Sequence, residues 1–157
     1  MANRDEILRA VKIASEVTQE FPVSARTSFD LISVYQDMDI PVVFRPLDNL
    51  WGGAVSIQNE NGVLIHSKLP RHLQRFTLAH ELGHILLDHE NKLDDKSSLS
   101  QRNAAREDSP TEEVSANRFA SELLAPRELI RENAERLGWK KDQLKQSINI
   151  YQLSLRL

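Results

Sequence analysis

The chain has no cysteine, no strong excess of charge of either sign and no long apolar run, and each absence closes off a class of function. Without cysteine there is neither a disulfide framework nor a thiolate metal site, so His and carboxylate are the strong metal ligands left. A net charge of −3 with 27% charged residues provides no basic field, and direct nucleic-acid binding is not expected. The N-terminus, Met1-Ala2-Asn3-Arg4-Asp5-Glu6, lacks the apolar core of a signal peptide, and no stretch approaches membrane-spanning length. A cytoplasmic protein with no membrane partner is the expectation. No internal repeat or low-complexity tract is evident, and 157 residues suit one compact domain with, at most, a small appendage.

What is present is His80-Glu81-Leu82-Gly83-His84, an H-E-x-x-H sequence inside a strongly apolar helical stretch from Arg71 to His89. Residues four apart share a helix face, so both imidazoles can reach one metal ion with Glu81 beside it, the arrangement of a metallopeptidase with a carboxylate base. Chance would place this motif in such a chain on the order of one time in a hundred or less. The other bland explanation, two satisfied core histidines, fares no better. Phe76, Leu78, Ala79, Leu82, Ile85, Leu86 and Leu87 make the helix apolar almost all round. Two His and a Glu buried there need partners, and a metal supplies one for all three.

Around that helix the periodicities predict an α+β protein. Asn3 and Glu6 are a capping pair for a first helix carrying Ile7, Leu8, Val11, Ala14 and Val17 up to Pro22. Thr27 or Ser28 would cap a second, with Leu31, Ile32, Tyr35 and Met38 on one face, ending before Ile40-Pro41. Val42 to Phe44 reads as a short strand. The segments Ala54 to Gln58 and Val63 to Ser67 flank Asn59-Glu60-Asn61-Gly62 as a hairpin, giving a small antiparallel sheet under the H-E-x-x-H helix. Glu90 to Asp108 is polar and long, a mobile loop or a lid. Ser109, Pro110 and Glu112 then open a helix with Val114, Ala116, Phe119, Ala120, Leu123 and Leu124 on its buried face. Pro126 restarts the chain into a helix ending near Gly138, and Lys140 to Leu157 is helical again.

A catalytic zinc site usually has three protein ligands and leaves a position for water, so a third is required. Glu113 is the candidate, in the pattern E-x-x-A-N: Ala116 lets its helix come close, and Asn117 can hydrogen-bond the outer nitrogen of a ligand histidine. Glu112 and Glu113 would both serve as N-terminal helix acids, but only Glu113 has that spacing. His66, His72 and His89 carry no motif and are expected at the surface. Arg75, His66 and Tyr35 are the residue types available as a second oxyanion donor. The strand near Val63 to Ser67 offers an edge on which an extended substrate could pair.

The segment from Arg75 to His84, RFTLAHELGH, followed by Glu113 to Pro126, EVSANRFASELLAP, resembles the ImmA/IrrE metallo-endopeptidase family, loosely from Ser28 to Leu157. The resemblance implies a minimal zincin-like α+β core; the expected organisation is a metallopeptidase core with N-terminal helices at 1–126 and a C-terminal helical segment at 127–157. The resemblance also implies His80, His84 and Glu113 as ligands of Zn2+ (Mn2+ and Fe2+ being the alternatives) and Glu81 as base. The implied action is cleavage of helix-turn-helix repressors or antitoxins to relieve repression. The alternative is a module that binds such a partner through the same metal-containing core without cutting it. Ser115 and Ala125 stand where family members often carry Glu and Met, neither at a ligand position. The chain also stops short of the turn and helix that continue the family's C-terminal appendage, as a truncated chain would.

Overall fold

The computed structural model describes residues 4–21, 30–57, 60–89, 92–95 and 111–138. In chain order these form α1 (Arg4–Glu20), α2 (Leu31–Asp37), β1 (Val42–Arg45), β2 (Leu50–Ile57), β3 (Glu60–His66), α3 (Arg71–Leu86), β4 (Lys92–Asp95), α4 (Thr111–Leu124) and α5 (Arg127–Arg136). The architecture is α+β. The expected caps Asn3 and Ser109, Pro110 at the expected first helical position, most of the Glu90 to Asp108 stretch and the helix from Lys140 onward lie outside the described residues, while α2 is capped by Asp30 and not by the expected Thr27 or Ser28.

The core is stacked in layers around α3, which lies across β2 and β3 on one side and against α4 on the other, with α1 packed on α4 and α2 at the side of α3. Leu78, Ala79, Leu82 and Leu87 from the α3 region join Val63 and Ile65 of β3 and Phe119, Ala120 and Leu123 of α4 in one apolar cluster. Small residues decide how close the layers come. A Cβ on Gly52 would stand 2.6 Å from Thr77 Cγ2 and 2.9 Å from the Leu64 carbonyl, so only glycine lets β2 pass under α3. α1 buries Ala10, Ala14 and Val17, a stripe at i, i+4, i+7. Leu8, expected on the buried face, is 55% exposed because it lies off that stripe.

The sheet has the order β1-β3-β2-β4 and is mixed: β3 pairs antiparallel with β2, and β2 with β4, while β1 runs parallel to β3. Three sequence expectations change as a result. Ile57 pairs with Glu60, and Asn61 and Gly62 are ladder residues opposite Ser56 and Val55, so Glu60, Asn61 and Gly62, expected in the hairpin turn, belong to β3. That register puts Gly52 and Ala54 opposite Ile65 and Val63. Val63 to Ser67 is not a free edge: β3 is paired on both sides, and Ser67 N–H donates to the Arg45 carbonyl at 2.9 Å. Finally, Lys92–Asp95 is an edge strand rather than loop. Its charged composition, which argued for a loop, is what an edge strand tolerates.

α2 starts at Asp30, whose Oδ1 accepts from Ile32 N–H at 3.1 Å and Ser33 N–H at 3.2 Å, while Oδ2 accepts from the Ser33 hydroxyl at 2.8 Å. These bonds, that from the Ser33 hydroxyl foremost, hold the Asp30 carboxyl below the ordinary aspartate range. A depressed folded-state pKa stabilises the fold above the unfolded-state pKa, and the contribution is lost as pH falls through the folded value. Asp30→Ala is expected to cost about 1 kcal/mol at neutral pH. In urea titrations the gap between variant and wild type should narrow as pH falls below the ordinary aspartate value of about 3.9; a gap that does not change with pH would show that the cap's charge is not its contribution.

α2 ends with Asp39 in the left-handed region, at φ 54°. The N–H groups of Asp39 and Ile40 donate back to the carbonyls of Gln36 and Tyr35, a Schellman closure that stops the helix before Pro41 acts. No helix among the described residues is long and apolar enough to cross a membrane.

Candidate metal centre

α3 carries His80, Glu81 and His84 into the interior, all three buried between the sheet and α4. The helix has a run of eight consecutive buried residues, from Thr77 to His84, consistent with its nearly all-round apolar sequence. Gly83 faces α4: a Cβ there would stand 3.0 Å from Phe119 Cδ1, 3.2 Å from Ala116 Cα and 3.3 Å from the Ala116 carbonyl. Two of those three atoms are backbone and cannot swing aside, so Gly83 and Ala116 together set the separation of the helices. That close approach brings the first turn of α4 over the histidines.

At the contact, Nε2 of His80 and Nε2 of His84 are 2.9 Å apart. Glu113 lies over both, with Oε2 3.5 Å from His80 Nε2 and Oε1 3.4 Å from His84 Nε2. The donor atoms of the three residues all lie within 4.8 Å of one another. Asn117, one turn along α4, places Oδ1 3.0 Å from His80 Nδ1. An amide oxygen only accepts, so His80 carries its proton on Nδ1 and turns the lone pair of Nε2 toward His84 and Glu113.

This donor set fits a metal ion. Ligands bonded at about 2.0–2.1 Å in a tetrahedral site stand roughly 3.3 Å apart, and the separations here straddle that value. Two ring nitrogens at 2.9 Å repel unless a proton or a cation lies between them, and the carboxylate beside them favours positive charge. Glu81, fully buried one residue after His80, is near enough to Tyr35 for its charge to add to the effect of burial, which is the larger, in pushing the Tyr35 hydroxyl well above its ordinary pKa.

Two of the three residue types suggested as oxyanion donors, Tyr35 and His66, are engaged elsewhere. The Tyr35 hydroxyl donates to the Leu78 carbonyl at 2.8 Å and ties α2 to α3. His66 Nδ1 accepts the Leu47 N–H at 3.0 Å, at the end of β3 that leads into the start of α3, more than two turns before His80. Arg75 is half-buried, and burial lowers its pKa against the opposing influence of the Asp30 charge. His72 is exposed, as expected. His89 is not: its side chain is 4% exposed, with Nδ1 2.9 Å from Nδ1 of His84. A lone histidine just past a helix gave no sequence signal of this.

Comparison with known proteins agrees with the site. The family model described as the IrrE N-terminal-like domain, Peptidase_M78, matches residues 35–152, about three quarters of the chain. The radiation response metalloprotease IrrE of Deinococcus radiodurans is 35% identical over 102 residues, covering 63% of this chain and 29% of that protein. The chain therefore aligns with under a third of the length of this curated relative.

Proposed function

The chain belongs to the ImmA/IrrE family of metallopeptidases, and from that premise we propose that it is a zinc-dependent endopeptidase of the cytoplasm. Its substrate on this reading is a helix-turn-helix repressor or an antitoxin, cut to relieve repression. The observation that carries the reading is Glu81: a carboxylate taken fully into the interior is costly, and a metal site of purely structural purpose has no need of one beside its ligands.

His80, His84 and Glu113 would hold the ion, and Asn117 fixes the His80 ring through its Nδ1–H. When bound, the ion supplies Lewis acidity, lowering the pKa of a coordinated water toward about 7 and polarising the scissile carbonyl. Glu81 takes the proton from the attacking water and delivers it to the nitrogen of the departing amine, so it begins and ends the cycle as a carboxylate. His80 and His84 are buried, which keeps bulk water from competing for their ring nitrogens.

The test is to incubate the protein with a repressor or antitoxin encoded alongside it, with Zn2+ and with chelator, and to look for fragments. Metal-dependent fragments are expected, and His80→Ala or His84→Ala should lose bound metal and cleavage together, since two ligands hold an ion poorly. Undiminished metal content in either variant overturns the site. Stable binding of the partner with no fragments would replace the peptidase by a binding module.

A further inference from the structure

His89 reaches His84 by a backbone device. α3 closes with Leu87 as its cap residue, Asp88 in the left-handed region at φ 56°, and two returning bonds: Asp88 N–H to the Ile85 carbonyl at 3.2 Å and His89 N–H to the His84 carbonyl at 3.0 Å. This is a Schellman closure, in which the second residue past the cap folds back onto the residue three from the helix end. Usually that contact is apolar. Here the two residues are His89 and His84, so the helix stop sets an imidazole against a candidate metal ligand.

The hydrogen-bond directions then form one consistent chain. If His84 offers Nε2 to the ion, its proton sits on Nδ1, and His89 Nδ1 at 2.9 Å must accept it. The proton of His89 is then on Nε2. That atom faces Ser115 Oγ at 3.4 Å and the Glu6 carboxylate of α1 at 3.7 Å. Ser115 donates its own hydrogen to the Glu112 carbonyl at 2.9 Å, which leaves its oxygen lone pairs to receive the His89 proton. Glu6 is steadied by Arg9 at 3.3 Å, and Arg9 also donates to the Leu87 carbonyl at 3.2 Å, gripping the same turn. Thus α1 and α4 hold His89 from two sides.

We propose that His89 is a positioning residue for the metal: it accepts the Nδ1–H of His84 and locks that ring in the tautomer whose Nε2 is left for the ion. Ser115 and Glu6 fix His89 in turn. His89 serves His84 as Asn117 serves His80, so each ligand histidine has its own outer partner. The inference rests on the reading of His84 as a ligand.

The experiment compares the full-length wild type with His89→Phe, which keeps a ring and loses the acceptor, and His89→Asn, whose Oδ1 can accept in nearly the same place. The readouts are Zn2+ affinity by chelator competition and the ring 15N NMR signature of His84. Wild-type His84 should be protonated on Nδ1. His89→Phe should weaken Zn2+ binding by about 10- to 100-fold, and His89→Asn should recover most of the loss. Wild-type affinity in His89→Phe, or an Asn variant no better than the Phe variant, overturns the proposal. So does a wild-type His84 protonated on Nε2, a result that decides the matter even if His89→Phe does not fold. A wild type that binds no Zn2+, or a His84→Ala variant that binds it equally well, instead defeats the assignment of the ligands themselves.

Discussion

Glu81→Gln is expected to bind metal as tightly as wild type, keep the fold, and lose about 10²- to 10⁴-fold in turnover, the range over which a positioned acid–base group contributes. The substitution preserves the volume of a fully buried side chain and removes its charge and its ability to take a proton. Glutamine is cheaper to bury than a carboxylate, so no loss of stability should obscure the result. Metal content and fragment yield measured on the same preparation separate the two effects. Undiminished cleavage would eliminate Glu81 as the base and with it the proposed proton path, while leaving His80, His84 and Glu113 untouched. Loss of metal would mean that Glu81 acts on the ligands rather than on the reacting water.

The parts of this site that were legible in the sequence are those set by local geometry. His80 and His84 are four apart on one helix, and no tertiary information is needed to place them on one face. Glu113 sits on another helix, yet E-x-x-A-N marked it because close packing leaves a trace: Ala116 meets Gly83 at a separation that leaves little room for a side chain. The strands behaved differently. Nothing in Val42 to Phe44 says that its partner will be β3 in parallel rather than β2, since strand order depends on contacts distant in sequence. The segment Asn59-Glu60-Asn61-Gly62 favoured a turn over all four residues, but the face that must meet α3, with Gly52 and Ala54 opposite Ile65 and Val63, selected a register in which the last three are strand. His89 was hidden for a third reason: Asp88 is not the glycine that usually announces a left-handed helix stop, so the fold-back was not signalled. Asp39 does the same at the end of α2, where the sequence points instead to the proline that follows.

Glu113→Gln is expected to weaken metal binding severely and abolish hydrolysis, whereas Glu112→Gln should cost about 1 kcal/mol or less of stability and leave metal binding intact. The two are neighbours in the first turn of α4, and both acids suit the helix dipole. They differ in direction. Successive helical residues point about 100° apart, so only one of them can lie over the histidines. Glu113 is that residue, with one carboxylate oxygen 3.5 Å from His80 Nε2 and the other 3.4 Å from His84 Nε2, while the backbone carbonyl of Glu112 receives the Ser115 hydroxyl. The amide introduced by Glu113→Gln could still approach an ion through its oxygen, but without the negative charge that offsets a dication between two neutral imidazoles. Chelator competition for Zn2+ on both variants, with thermal unfolding as the control for folding, distinguishes ligand from helix acid. If Glu112→Gln were the variant to lose metal, the face of α4 turned to the histidines would be wrong, and Asn117, one turn beyond Glu113, would lose its place beside His80 as well.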